Sequence, residues 1–224
     1  MTTGILYLVP TPIGNRGDIT RRALEVLSEV DLVLCEDTRR SGQLLRDYAL
    51  HKPLQSHHKF NEHQSIGRLM SLLGEGKNIA LVSDAGTPGI SDPGFLVVRA
   101  ALAAGHTVDA LPGPTALIPA LVQSGIPCDR FCFEGFLPVK KGRQTRLQEL
   151  AQESRTMVFY ESPHRLLKTL EQLAQACGED RQASVSRELS KKFSDTVRGS
   201  LASLHSHFQK QEPRGEFVIV LAGR

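Results

Sequence analysis

The chain has no tryptophan, and aromatic residues make up only 5% of its 224 positions. So sparse a complement disfavours a stacking platform for single-stranded nucleic acid, which needs several rings in a row. Cysteine is scarce too. Cys35, Cys128, Cys132 and Cys177 form no CxxC pair and no zinc-like quartet, and two lie in apolar runs, so all are expected to be buried free thiols with no metal site. The longest apolar runs, 5–9 and 217–222, are far shorter than the roughly 20 residues of a membrane span. The opening Met-Thr-Thr-Gly lacks a basic n-region and its apolar run is cut by Pro10 and Pro12, so no export signal is expected and the chain reads as cytoplasmic. Also missing are a GxxxxGK[ST] loop and a GxGxxG at the first helix, which leaves P-loop and dinucleotide binding unsupported. The formal charge of +3 is too small to imply a polyanionic partner unless the cations cluster.

What is present is an ordinary globular composition, 40% hydrophobic and 23% charged, with length for one large domain or two small ones. Short β-branched or apolar runs alternate with amphipathic ones, which predicts an α/β fold with mainly parallel strands. Strands are expected at 5–9, 32–35, 78–82 and 107–111. Helices are expected at 19–29 behind the cap Asp18, at 39–48 behind Thr38, at 64–74, and at 95–104 closed by Gly105. Pro112-Gly113-Pro114 interrupts the pattern, so the boundary is drawn there, giving domains 1–112 and 113–224. The second half reads as a helix at 115–124, then strand 131–134, helix 140–153, strand 156–160, helix 163–177, strand 182–187, a short segment 193–197, helix 200–211 and strand 216–221. A mixed sheet with helices is expected there.

The punctuation between these elements carries the functional signal. Conspicuous loops at 10–15, 36–39, 83–94 and 112–116 each follow a strand. In an open parallel sheet such loops share one rim, where ligands bind at the switch in strand order. Any one of them could be a plain turn. The loop 83–94, however, holds three glycines and two prolines in twelve residues, where a βα connection usually takes about two to six. The same rim carries Glu36, Asp37, Asp84 and Asp92. Carboxylates repel phosphate unless a metal intervenes, but suit a ligand with positive charge and ribose hydroxyls. S-adenosylmethionine, a sulfonium with an amino group and a ribose, fits that description. The plainer role is helix N-capping, expected for Asp92 and open for Asp37, and it can coexist with ligand contact.

Several strings extend this reading: Leu6-Tyr7-Leu8-Val9-Pro10-Thr11-Pro12-Ile13-Gly14-Asn15, Cys35-Glu36-Asp37-Thr38-Arg39, 81–94, Leu111-Pro112-Gly113-Pro114, Phe133-Glu134-Gly135-Phe136-Leu137-Pro138, Phe159-Tyr160-Glu161-Ser162-Pro163-His164-Arg165 and Arg187-Glu188-Leu189-Ser190-Lys191. In these motifs, spread over 4–223, the chain resembles the tetrapyrrole methylase-like superfamily (class III methyltransferases) and, within it, the small-subunit rRNA (cytidine-2′-O)-methyltransferases. The resemblance implies two α/β domains with the ligand cleft between them, a homodimer, and methyl transfer from S-adenosylmethionine to the ribose of a decoding-centre cytidine of 16S rRNA in the 30S subunit. Membrane and DNA are not expected partners. It implies that Pro12 lies beside the donor, that Ser83, Asp84, Gly86, Thr87 and Pro88 form the donor loop with Ile90, Ser91 and Asp92, that Thr115 and Ala116 follow the Pro-Gly motif, and that Tyr160 closes over the donor. Longer members carry a helical C-terminal extension past the position where this chain stops, Arg224, so RNA contacts made by that extension are not carried over.

Basic residues cluster at Lys140, Lys141, Arg143 and Arg146, with further pairs at Arg39-Arg40 and Lys191-Lys192. Phosphate contact is expected for the cluster, because cations gain affinity by releasing counterions from RNA, and solvated helix faces are the alternative. His57, His58 and His63 have a spacing that could share a cation, but Lys59 and a loop setting argue against it. His164 either faces the site or begins a helix. A ribose hydroxyl is a poor nucleophile, so a nearby base is expected to assist. The candidates are Glu36, Asp37, Glu161 and Glu188, with Arg39, Arg165, Arg187 and Lys191 placing phosphate or balancing charge. Two other readings stay open: methylation of a tetrapyrrole or other small acceptor, and a noncatalytic ribosome-assembly factor.

Overall fold

The computed structural model describes residues 3–58, 62–210 and 212–224. The chain divides into two compact domains, Met1–Thr115 and Ala116–Arg224.

The first domain alternates strand and helix: β1 (Ile5–Leu8), α1 (Arg21–Glu29), β2 (Leu32–Cys35), α2 (Thr38–Asp47), β3 (Leu54–Ser56), α3 (Glu62–Gly74), β4 (Ile79–Leu81), α4 (Phe95–Ala103) and β5 (Thr107–Ala110). The strands form one sheet in the order β3-β2-β4-β1-β5, and every pair is parallel. Because side chains alternate across a strand, this sheet is buried on both faces. Leu6, Leu34, Ile79 and Leu81 pack with Leu69 and Leu73 of α3 and Val97 and Ala101 of α4. Val33, Cys35, Ala80 and Val82 pack on the other face with Ala23 and Leu27 of α1 and Leu45 of α2. From β1 the chain crosses toward the β3 edge, and from β4 it crosses toward the β5 edge. The two connections part at the β1–β4 boundary, which is therefore the switch point.

The second domain runs α5 (Leu117–Gln123), β6 (Phe131–Gly135), α6 (Arg143–Ala151), β7 (Thr156–Glu161), α7 (Leu166–Cys177), β8 (Gln182–Arg187), β9 (Asp195–Ser200), α8 (Leu201–Gln209) and β10 (Phe217–Leu221). Its sheet is mixed, in the order β6-β7-β10-β8-β9, with only β6 and β7 parallel. Met157, Phe159, Val185, Phe217, Ile219 and Leu221 form one face, which packs with Leu147 of α6, Leu166 and Leu170 of α7, and Leu201 and Leu204 of α8.

Several local expectations are corrected. The strand β3 was not anticipated: it offers one apolar residue after Pro53 and exists because β2 pairs with it, with Val33 N donating to Pro53 O at 2.9 Å. Asp18 lies in a short 3-10 turn, and α1 is capped by Thr20, whose hydroxyl accepts from Ala23 N at 3.0 Å. Helix α6 begins at Arg143 rather than at 140, because Gly142 turns left-handed at φ +81°. Only Cys35 and Cys177 are buried, while Cys128 is exposed and Cys132 half-buried. Among the described residues no helix is long and apolar enough to cross a membrane.

Candidate functional site

The rim at the carboxyl ends of β1, β4 and β5 is stitched together by short hydroxyl residues and by backbone. Thr11 and Gly86 form an antiparallel bridge with two bonds of 2.9 Å. Thr11 Oγ1 donates to Ser83 O at 3.0 Å, Ser83 Oγ to Gly86 O at 3.0 Å, and Thr87 Oγ1 to Pro114 O at 3.0 Å. Thr11 and Ser83 are buried, so each unmade bond would leave a desolvated polar group. A Cβ on Gly113 would lie 2.8 Å from Pro10 Cβ, so the close approach of the β1 and β5 loops needs glycine. Gly86 holds φ +85° and Ser91 φ +63° within the same loop. Pro12 and Asp84 are half-buried and Pro88 buried along it, and Ile90 and Thr115 are half-buried. Ala116 opens the second domain as the residue before α5. Thr11 was not singled out in the sequence, although a β-branched hydroxyl between two prolines was its signal.

The carboxylates of the rim differ in character. Asp37 caps α2: its Oδ1 accepts from Arg39 N at 2.8 Å, and the Arg39 guanidinium grips both oxygens at 3.2 and 2.9 Å. Those bonds bring its pKa down to about 2, so it is a weaker base than Glu36 or Asp92. Asp84 accepts from Asp37 N at 3.3 Å and from Arg40 at 3.0 Å, tying the β4 loop to α2. Burial, together with the Asp84 charge, pushes Glu36 upward. Burial and the neighbouring Glu36 push Asp92 to about 7. Two neighbouring carboxyl groups cannot both ionise cheaply, which is why Glu36 raises the proton affinity of Asp92.

Asp92 does not cap α4, contrary to expectation. The helix begins after Gly94 with no local side-chain cap. Its orphan amides are taken instead by Glu62 of α3, whose Oε1 accepts from Gly94 N at 3.3 Å and Leu96 N at 3.2 Å. Glu62 is therefore an anchor for the exit of the 83–94 loop that sequence reading missed, since a cap 32 residues upstream leaves no local signal. Behind it His57 is fully buried, with Nδ1 3.1 Å from Ser65 Oγ and Nε2 3.7 Å from Glu62 Oε1. Burial lowers its pKa. Among the described residues no group of three His, Cys, Asp or Glu side chains is placed to hold a metal.

In the second domain most candidate charges are already engaged. Glu161, with a side chain 1% exposed, accepts from Ser162 N at 2.8 Å and Thr169 Oγ1 at 2.7 Å and lies 3.5 Å from Arg165. It is a buried carboxylate engaged on both oxygens by neighbours of its own domain. Glu188 is bound by Lys191 at 2.8 Å and by Glu216 N at 2.9 Å. Burial alone would raise its pKa, but Lys191 and the amide outweigh it and hold it below the ordinary value. The expectation of phosphate contact at Arg143 is likewise corrected. Its guanidinium is buried and donates to Gln172 Oε1 at 2.7 Å, Pro138 O at 3.0 Å and Thr169 Oγ1 at 2.8 Å. Arg146 is paired with Glu134 at 2.5 Å and Glu149 at 2.6 Å, and Lys191 bridges Glu188 and Glu216. Arg165 donates to Leu137 O at 2.6 Å, and Arg187 to Phe193 O at 3.4 Å. His164 lies in the exposed turn before α7. Tyr160 packs edge-on against Phe133 and Phe136 at 4.9 and 5.8 Å between centroids. Lys140 and Lys141 are exposed, and their ammonium groups have no partner among the described residues.

The family model of the tetrapyrrole (corrin/porphyrin) methylases matches residues 5–205. A Synechocystis protein named ribosomal RNA small subunit methyltransferase I is 52% identical over 221 residues, covering 98% of this chain and 79% of the relative. A Thermotoga maritima protein of the same name is 48% identical, with 99% of each chain covered. Among solved structures, the uroporphyrin-III C-methyltransferase of Thermus thermophilus, crystallised with S-adenosyl homocysteine, superposes with a TM-score of 0.68 at 20% identity, covering 98% of this chain and 97% of that one. At that identity the likeness is one of fold.

Proposed function

The chain belongs to the tetrapyrrole (corrin/porphyrin) methylases, and on that premise we propose that it transfers the methyl group of S-adenosylmethionine to the ribose 2′-hydroxyl of a decoding-centre cytidine in small-subunit rRNA. The observation that carries this reading is the near-full-length identity of about half to proteins named for that ribosomal RNA. The rim of the first domain supports the choice of donor. Its loops expose the small residues Ala85 and Gly113, and its charged side chains include Asp84 and the Glu36–Asp92 pair, which suit a cationic ligand better than a phosphate.

When bound, the donor supplies a methyl group already activated by its sulfonium. The chain is left with alignment and with the hydroxyl proton. Thr11, Ser83 and Thr87 fix three loops relative to one another, which preorganises the rim so that little ordering remains on binding. Asp92, which burial and the neighbouring Glu36 raise to about 7, is the rim carboxylate whose proton affinity suits an acceptor near neutral pH. Asp37 and Arg39 hold each other and Asp37 N holds Asp84, a positioning role. The reading includes a homodimer on the small subunit in the cytoplasm. It draws on α4, which leaves Phe95 and Leu102 68% and 60% exposed one above the other at i and i+7.

The test uses small ribosomal subunits from cells lacking this protein, incubated with the purified chain and methyl-labelled donor. Label recovered as 2′-O-methylcytidine from the decoding centre is the expected result. Label entering a tetrapyrrole acceptor and not RNA, or no heat on titrating the donor, overturns the reading.

A further inference from the structure

In the second domain the segment 136–142, between β6 and α6, projects apolar and cationic side chains together. Phe136 and Val139 are 52% and 71% exposed. Lys140 and Lys141 follow them with no partner for either ammonium. The main chain behind this display is held by two arginines: Arg165 donates to Leu137 O at 2.6 Å and Arg143 to Pro138 O at 3.0 Å. Gly142 then closes the segment with a left-handed turn at φ +81°. A loop fixed at two successive carbonyls presents its side chains with little conformational entropy left to lose. Beside it runs a groove of about 480 Å³ whose walls include Phe136, Leu137, Pro138 and the paired Arg146 and Glu149.

Resting on the rRNA reading above, we propose that this loop and groove receive an unpaired base of the RNA substrate, stacked on Phe136, while Lys140 and Lys141 take the adjoining phosphates. A free phosphate would have no use for Phe136 and Val139, and an apolar peptide would have none for two uncompensated lysines. A single-stranded nucleotide carries both chemistries, a π face and a negative charge, within one repeat. Tyr160 meets Phe136 edge-on, with ring planes at 67°, which steadies the ring without stacking upon it. The polar edge of a base in the groove meets Arg146 as donor and Glu149 as acceptor. Arg143 and Arg165, read from sequence as phosphate contacts, become positioning residues that hold the loop from behind.

The test measures binding of a fluorescein-labelled single-stranded oligocytidylate by anisotropy across a salt series, with methyl transfer to small subunits by the unaltered protein followed in parallel. Phe136→Leu is expected to weaken binding about tenfold at every salt concentration, and Phe136→Trp to restore it. The double variant Lys140→Ala, Lys141→Ala is expected to lower the slope of log affinity against log salt by about 1.4, two phosphate contacts at roughly 0.7 each. Donor binding stays unchanged in all three. Phe136→Leu binding as tightly as the unaltered protein overturns the proposal, as does a change in oligomeric mass without a change in RNA affinity, which would assign the face to a second copy. If the unaltered protein methylates subunits while these variants bind normally, only the present inference fails. If it transfers no methyl to RNA, the functional reading fails with it.

Discussion

Removing the Arg143 side chain distinguishes a cation that holds the fold from one that holds RNA. In Arg143→Ala three charge-assisted bonds disappear, to Gln172, Pro138 and Thr169. Each is worth about 1.5–3 kcal/mol before the cost of burying the guanidinium is returned. That return is real, because burial and the neighbouring Arg165 both lower the pKa of Arg143. The gross loss is therefore an upper bound. Against it stands Glu161, whose side chain is 1% exposed and loses one of its two nearby cations. Breaking a buried charge arrangement from one side costs about 3–5 kcal/mol, so we expect about 3–4 kcal/mol of destabilisation. At roughly 2–4 °C per kcal/mol for a chain of this size, the melting temperature falls by about 10 °C. Urea unfolding followed by circular dichroism gives the first number. RNA affinity against salt, measured where the variant is still folded, should drop without a change of slope, since no phosphate contact is removed. Lys141→Ala should do the reverse, with stability within about 0.5 kcal/mol and a shallower slope. An Arg143→Ala protein as stable as the parent, with its salt slope reduced by about 0.7, would refute the argument.

Two further outcomes follow from the first domain. Asp92 has its pKa raised to about 7, so its protonated form favours the folded state; that contribution is complete below the ordinary value of 3.8 and is lost as pH rises through 7. Asp92→Asn should therefore match the parent near pH 4 and exceed it by about 1–2 kcal/mol at pH 8.5, the ceiling of roughly 4 being discounted for a half-exposed group; urea curves at both pH values that differ equally would contradict it. Glu62→Ala should cost about 2 kcal/mol and Glu62→Gln about 1, because glutamine keeps an acceptor for the Gly94 and Leu96 amides but not the charge at the helix start. Faster hydrogen exchange at Leu96 in the alanine variant is the local check, and unchanged exchange there would remove the anchor from the account.

What could be read from the sequence and what could not divide along one physical line. Central parallel strands buried on both faces announce themselves as continuous apolar runs, so β1, β2 and β4 lie within a residue or so of their expected bounds, while the exposed edge strand β5 is legible from its place between Gly105 and Pro112. The rim was legible for a related reason: glycine and proline constrain the backbone locally, and the loop 83–94 needs that constraint to bridge Thr11 with Gly86 at φ +85°. Illegible features depend on partners brought together by the fold. The string Lys140-Lys141-Gly142-Arg143 looks uniformly basic, yet Thr169 and Gln172 of α7 draw only Arg143 inward and leave the lysines in water. Asp84 looks like a free acid until Arg40, 44 residues earlier, is set against it. Local pattern therefore predicted which side chains carry charge, and only tertiary pairing decided which charges remain available. By that criterion the exposed lysines at 140 and 141 and the Glu36–Asp92 pair, rather than the longest basic or acidic strings, are where chemistry with a partner should be sought.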